Sequence, residues 1–144
     1  MGKDDLLWQW LDKGNNELRS AEYLATMHHP TPDEVICYLC QQAAEKYLKG
    51  FLFLHDIEPP KTHDLNELLN MCAEKNGDFS ALSARMSVLK TYAIMPRYPS
   101  ELVITSENMN MAIRYSKDTQ EFVLGVIKEM QENAIALVHS EEQT

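Results

Sequence analysis

The sequence predicts an all-α protein: a single up-and-down helical bundle of about five helices over residues 1–144, with a frayed acidic tail at 139–144. Three observations carry that prediction. Apolar residues recur at steps of three and four through most of the chain. The six prolines fall in three pairs, Pro30/Pro32, Pro59/Pro60 and Pro96/Pro99, which separate the periodic stretches. No stretch alternates apolar and polar residues over the length of a strand, and there is no internal repeat. A chain of 144 residues is long enough to bury a core without disulfides or metals.

The elements follow in order. Leu7, Leu11, Leu18, Ala21 and Ala25 share a helical seam with Gly14 and mark a first helix that ends before Pro30. Thr31 as N-cap, Pro32 at the first helical position and Asp33-Glu34 in the first turn start a second. Its apolar residues Ile36, Cys40, Ala43, Tyr47, Phe51 and Leu54 form one stripe, and Val35, Leu39, Leu48 and Leu52 add apolar surface around the cylinder, so this helix is expected at the centre. Leu65, Leu68, Leu69 and Cys72 give a third helix closing near Asn76-Gly77. Ser80 is the expected cap of a fourth, carrying Leu82, Met86, Leu89 and Ala93 and stopping at Pro96. After a non-helical approach, a period near 3.6 runs from Ser106 through Met130, Ala134 and Leu137 as one long last helix.

Composition excludes several classes of function. Twenty-two acidic residues against 13 Lys and Arg leave a net charge of −9, which speaks against duplex nucleic-acid binding over a broad basic surface. The apolar run 51–54 is far shorter than the roughly 20 residues of a membrane span, and no membrane partner is expected. The N-terminus lacks an apolar signal region, so a cytoplasmic location is expected. In that compartment Cys37, Cys40 and Cys72 read as free thiols rather than a disulfide framework. Gly-rich phosphate loops and the commonest esterase and zinc-protease signatures are absent, and neither a cofactor nor a metal is expected.

Four constellations remain. Gln42, Glu45, Lys46 and Lys49 share one face of the second helix opposite the Ile36/Cys40/Tyr47 stripe. Spacing alone favours a solvated face with a Glu45–Lys49 pair, and the alternative is a ligand-facing strip with two cations. His55-Asp56 and His63-Asp64 flank one Pro-containing loop. They have metal-ligand chemistry, but the stronger expectation is that Asp64 caps the third helix and His63 bonds across the loop. His28-His29 reads as an exposed turn. Arg97-Tyr98-Pro99 precedes the last helix, where a guanidinium can reach phosphate, carboxylate or carbonyl groups.

Gln41-Gln42-Ala43-Ala44-Glu45-Lys46-Tyr47-Leu48-Lys49, Thr62-His63-Asp64-Leu65 and Arg97-Tyr98-Pro99, in that order, resemble a HEPN-domain protein from about Trp8 to about Met130. The resemblance implies a HEPN-like bundle of about five helices, usually a homodimer. It also implies association with a minimal nucleotidyltransferase in a two-component or toxin–antitoxin system, with nucleotide or RNA as candidate ligand. Gln42, Glu45, Lys46, Lys49, His63, Asp64, Arg97 and Tyr98 are then the expected nucleotide-binding residues, converging on one cleft. In ribonuclease members an Arg is followed after four to six residues by a His. Here the only histidine after His63 is His139, so that mechanism is not carried over and no catalytic residue is assigned. Three readings stand: a binding module, a nuclease that joins His63 to Arg97 through the fold, and a structural adaptor whose polar stripe only solvates the bundle or lines a dimer interface.

Overall fold

Apolar residues on every side of one helix suit a cylinder covered on every side, and that is where the second helix sits. The computed structural model describes residues 2–28, 30–94 and 103–142. In it α2 (Asp33–Leu54) lies between α1 (Lys3–Leu24) and α5 (Ser106–Glu142), with α3 (Leu65–Lys75) and α4 (Ser83–Leu89) closing a further side. Among the described residues there are five α-helices and no strand. Ile36, Cys40, Ala43, Tyr47 and Phe51 are buried against Leu7, Leu11 and Leu18 of α1, Leu68 and Cys72 of α3, Met86 of α4, and Ala112, Val123 and Ile127 of α5.

Contacts fix the directions. A Cβ on Gly14 would lie 3.0 Å from the Tyr47 ring and 3.3 Å from the Ala43 carbonyl, while Gly50 faces Trp10 and Leu11. α1 and α2 are therefore antiparallel and closely approached at Gly14, where a side chain would push them apart. Ser116 Oγ donates to the Cys40 carbonyl at 2.9 Å and Gln120 Nε2 to the Tyr47 hydroxyl at 3.0 Å, so α5 runs in the same sense as α2. The loop 55–64 carries the chain back along α2: the His63 carbonyl meets Gln41, and Cys72 meets the Leu48 carbonyl.

α2 ends in a left-handed cap. Asp56 has φ 60°, the Ile57 N–H donates to the Leu52 carbonyl and the Asp56 N–H to the Phe53 carbonyl, the paired bonds of a Schellman motif. That cap turns the chain into the loop carrying His63.

Two expected caps are corrected. The Thr31 hydroxyl donates to the Met27 carbonyl, closing the turn behind it, and Pro32 occupies the N-cap position of α2 with no side-chain bond. Ser80 lies within a 3₁₀ segment, Gly77–Leu82, whose start is held by Asn76 Oδ1 accepting from the Asp78 N–H. α4 then begins at Ser83 and a second 3₁₀ turn covers Lys90–Tyr92. The Thr31 side chain is taken by a nearer backbone carbonyl, and Ser80 sits inside the 3₁₀ segment rather than before the first turn of α4.

α5 starts where the period predicts. Thr105 and Asn108 cap it reciprocally, each side chain accepting from the other's backbone N–H. It continues through Glu142, beyond His139 where the sequence predicts fraying. Residues 131–142 are all exposed, so Ala134 and Leu137 prolong the helical period without entering the bundle. None of the described helices is long and apolar enough to cross a membrane.

Candidate binding site

The polar stripe of α2 is not a solvated face. Glu45 is 2% exposed, Lys46 8% and Lys49 7%; only Gln42 is half-buried. The solvated reading fails because α2 has neighbours on its polar side too, from α1 and from the returning loop. Buried charges persist when paired and hydrogen-bonded, and these are.

Glu45 is the hub. Its Oε2 accepts from Lys49 Nζ at 3.2 Å and its Oε1 from His63 Nδ1 at 2.8 Å, with a longer bond from Gln41 Nε2 at 3.4 Å. Gln41 Nε2 also donates to the His63 carbonyl at 3.2 Å, anchoring the loop by its backbone. From Gln41 the network continues along the helix: Gln42 Nε2 donates to Gln41 Oε1 at 2.7 Å, and Lys46 Nζ to Gln42 Oε1 at 3.2 Å. Lys46 reaches Glu17 of α1 at 3.2 Å. One chain of polar contacts thus links α1, α2 and the 55–64 loop.

The two carboxylates differ. Burial pushes the Glu45 carboxyl up, but the His63 bond and the Lys49 charge together outweigh it and hold the group below the usual carboxylate range. For Glu17 burial wins over the attraction of Lys46, and its carboxyl lies above that range. An ionised Glu45 is acceptor-only, so His63 presents an N–H at Nδ1. The imidazole side chain is 65% exposed, which turns Nε2 outward as the oriented end of the Glu45–His63 pair. Such a ring can accept a hydrogen bond from a ligand, or donate one to an anion when protonated.

Asp64 caps α3 as expected, accepting from the Asn66 N–H at 2.9 Å and the Glu67 N–H at 3.3 Å, and Lys90 approaches its other oxygen at 3.7 Å. His63 bonds α2 rather than its own loop, which corrects the expected bond across the loop. Lys49 and His63 are brought together on Glu45, while Lys46 points to Glu17 instead. Arg97 and Tyr98, with the rest of the Arg97-Tyr98-Pro99 motif, lie outside the described residues, as does His29.

Gln41 and Glu17 complete the network, and neither was among the expected site residues. Gln41 belongs to the α2 motif and was findable there; Glu17 carries no local signal, since its partner Lys46 lies far along the chain. Among the described residues no group of three His, Cys, Asp or Glu side chains is placed to hold a metal. Burial pushes the thiols of Cys37 and Cys72 up to about 12 and raises Cys40 as well, so these buried thiols carry little thiolate at neutral pH.

An all-α bundle with a buried, charge-paired motif on its central helix and a histidine loop folded onto it defines the class. The chain belongs to the HEPN domain family, whose model matches residues 7–129. The crystal structure of TT1696 from Thermus thermophilus superposes with a TM-score of 0.69 at 26% identity, covering 83% of this chain and 96% of that one. That of ST0689, an archaeal HEPN homologue, gives 0.65 at 22% identity over 84% and 97%. No curated protein matches the chain.

Proposed function

We propose that this HEPN protein is a binding module that pairs with a second copy of itself and partners a minimal nucleotidyltransferase in a two-component or toxin–antitoxin system, with a nucleotide bound at the His63 corner. The observation that carries the reading is the Glu45–His63 contact: a buried, ionised carboxylate fixes the orientation of an exposed imidazole beside Lys49 and near the Asp64–Lys90 pair. A buried polar hub that holds one surface group in a set direction suits ligand recognition. Arg97 and Tyr98 supply the guanidinium and the ring of the same site in this reading. The nuclease alternative, with His63 joined to Arg97 through the fold, lacks the closely spaced Arg-to-His sequence motif of the ribonuclease members.

A structural adaptor is the second reading, favoured by charge pairing: Lys46 with Glu17 and Lys49 with Glu45 leave those two cations already neutralised. Calorimetry with ATP and with a short single-stranded RNA separates the two. Binding by the wild type that weakens with salt, and is lost in His63→Ala and Arg97→Ala, supports the module. No binding of either ligand, with Lys49→Ala only destabilising the fold, selects the adaptor, and RNA cleavage overturns both. Co-purification with a minimal nucleotidyltransferase encoded beside it, followed by intact-mass measurement, tests the partner.

A further inference from the structure

Among the described histidines, His63 alone has a buried carboxylate on one ring nitrogen and an outward-facing second nitrogen. Glu45 Oε1 accepts from Nδ1 at 2.8 Å, with the Glu45 side chain 3% exposed and that of His63 65% exposed. The Glu45 carboxyl is held below its usual range, so the shared proton stays on Nδ1. Nε2 then carries the lone pair of the ring, and among the described residues it takes no hydrogen bond. Gln41 steadies the backbone beneath it by donating to the His63 carbonyl at 3.2 Å. The other histidines lack this arrangement. His55 packs on Phe51 with ring centroids 4.6 Å apart and its Nε2 is buried. His139 meets only the exposed Glu142, at 3.8 Å, and His28 is exposed between α1 and α2.

We infer that His63 is a phosphoryl-acceptor site, with Nε2 as the nucleophile and an N-phosphoryl compound as the donor. A carboxylate on Nδ1–H fixes the tautomer that leaves Nε2 free to attack, and it offsets the positive charge that the ring gains in doing so. The surroundings favour a phosphoryl group over an uncharged acyl group. Lys49 shares Glu45 with His63, and Lys90 approaches the adjacent Asp64 at 3.7 Å, so two cations stand beside the position where a dianion would form. In the step, the Nε2 lone pair forms a new P–N bond as the donor's own P–N bond breaks. With zwitterionic phosphoramidate as donor, the electron pair of the broken bond leaves on nitrogen as ammonia. The Nδ1 proton stays between the ring and Glu45, and nothing is oxidised or reduced. This goes beyond the binding reading, because the transfer requires no bound nucleotide. The added charge of about −2 would close the same corner to an anionic ligand.

Incubation of the full chain with potassium phosphoramidate, followed by intact-mass measurement and peptide mapping at alkaline pH, tests the assignment. The expected result is one added phosphoryl group at His63, formed there before His28 or His139, removed by acid and lost in His63→Gln. The exposed histidines of the wild type serve as internal controls, so the outcome does not hang on a variant that fails to fold. Glu45→Gln keeps the shape of the hub without its charge. Where its circular dichroism matches wild type, the label at His63 is expected to form at least about tenfold more slowly. Label spread evenly over the exposed histidines, or absent from His63, overturns the acceptor site. An unchanged rate in Glu45→Gln overturns the part given to the carboxylate. Calorimetry with ATP on unlabelled protein is a separate measurement: no binding there, with His63 still labelled, overturns the nucleotide reading and supports the acceptor site.

Discussion

In α2 three charged side chains, Glu45, Lys46 and Lys49, are buried, whereas near the end of α5 three large apolar ones, Ile135, Leu137 and Val138, face water. Both regions are helical and both are amphipathic by spacing. Neighbours, not residue class, decide what is covered. α2 is flanked on its polar side by α1 and the 55–64 loop, and its charges tolerate this because each finds an opposite charge within about a hydrogen-bond length. α5 outruns the bundle, so among the described residues the stripe that packs at Val123 is left exposed at Leu137. The first region concentrates energy in paired polar groups; the second leaves apolar area exposed.

The sharpest way to separate these regions is to truncate one large apolar side chain in each. Phe51→Ala, at a fully buried site stacked near Phe79 with ring centroids 4.3 Å apart, is expected to cost about 3–5 kcal/mol. Leu137→Ala is expected to change the stability of the isolated monomer by less than about 0.5 kcal/mol. Urea denaturation of both variants at low protein concentration checks the pair. Equal losses would mean that the end of α5 packs within its own chain.

Breaking the polar hub should rank next. Glu45→Ala leaves Lys49 and His63 without their shared acceptor and is expected to cost about 3 kcal/mol, since removing one partner of a buried pair strands the other charge. A Glu45/Lys49 double-mutant cycle should show a coupling of roughly 0.5–3 kcal/mol, the range for residues in direct contact. The pH dependence has a definite sign. Because the Glu45 carboxyl is held below its ordinary value of 4.5, its contribution is present above that value and is lost as pH falls through the lower, folded value. Glu17 works in the opposite direction: its raised carboxyl favours the fold at acid pH and that contribution is lost as pH rises. Stability profiles of Glu45→Gln and Glu17→Gln should therefore diverge from wild type in opposite senses across the carboxylate range.

Two glycines provide the smallest and most local contrast. Gly14→Ala puts a methyl 3.0 Å from the Tyr47 ring and 3.3 Å from the Ala43 carbonyl, within the α1–α2 contact, and is expected to destabilise by about 1–3 kcal/mol through overpacking. Gly125→Ala meets nothing within 4 Å on the exposed side of α5. It is expected to stabilise by roughly 0.5–1 kcal/mol through helix propensity. Thermal denaturation reads both.

How much of this was legible in the chain follows from how local each signal is. The Glu45–Lys49 pair was readable because four positions on a helix place two side chains together whatever surrounds them. The Asp64 cap was readable for a similar reason: it satisfies N–H groups two and three residues away. Thr31 misled because an N-cap residue type competes for other nearby backbone partners, here the Met27 carbonyl, and Ser80 because a 3₁₀ segment capped by Asn76 already covers it and α4 starts three residues later. His63 on Glu45 and Glu17 on Lys46 could not be read, being bonds between distant positions that exist only because the loop folds back and α1 lies antiparallel to α2.

Periodicity, proline placement and residue type by themselves determined that this is an all-α chain, where its helices lie and which apolar stripe each presents, because 3.6-residue spacing and missing donors act over a single turn. The α2 motif, the histidine loop and Arg97-Tyr98-Pro99, in that order, likewise announced the family. Only the tertiary structure decided that the polar stripe of α2 is buried and paired, that His63 is oriented by Glu45, and that the stripe of α5 runs past the bundle into solvent. Those outcomes depend on which elements stand next to one another, and contacts between distant segments are set by the packing of the whole core rather than by any local run of residues.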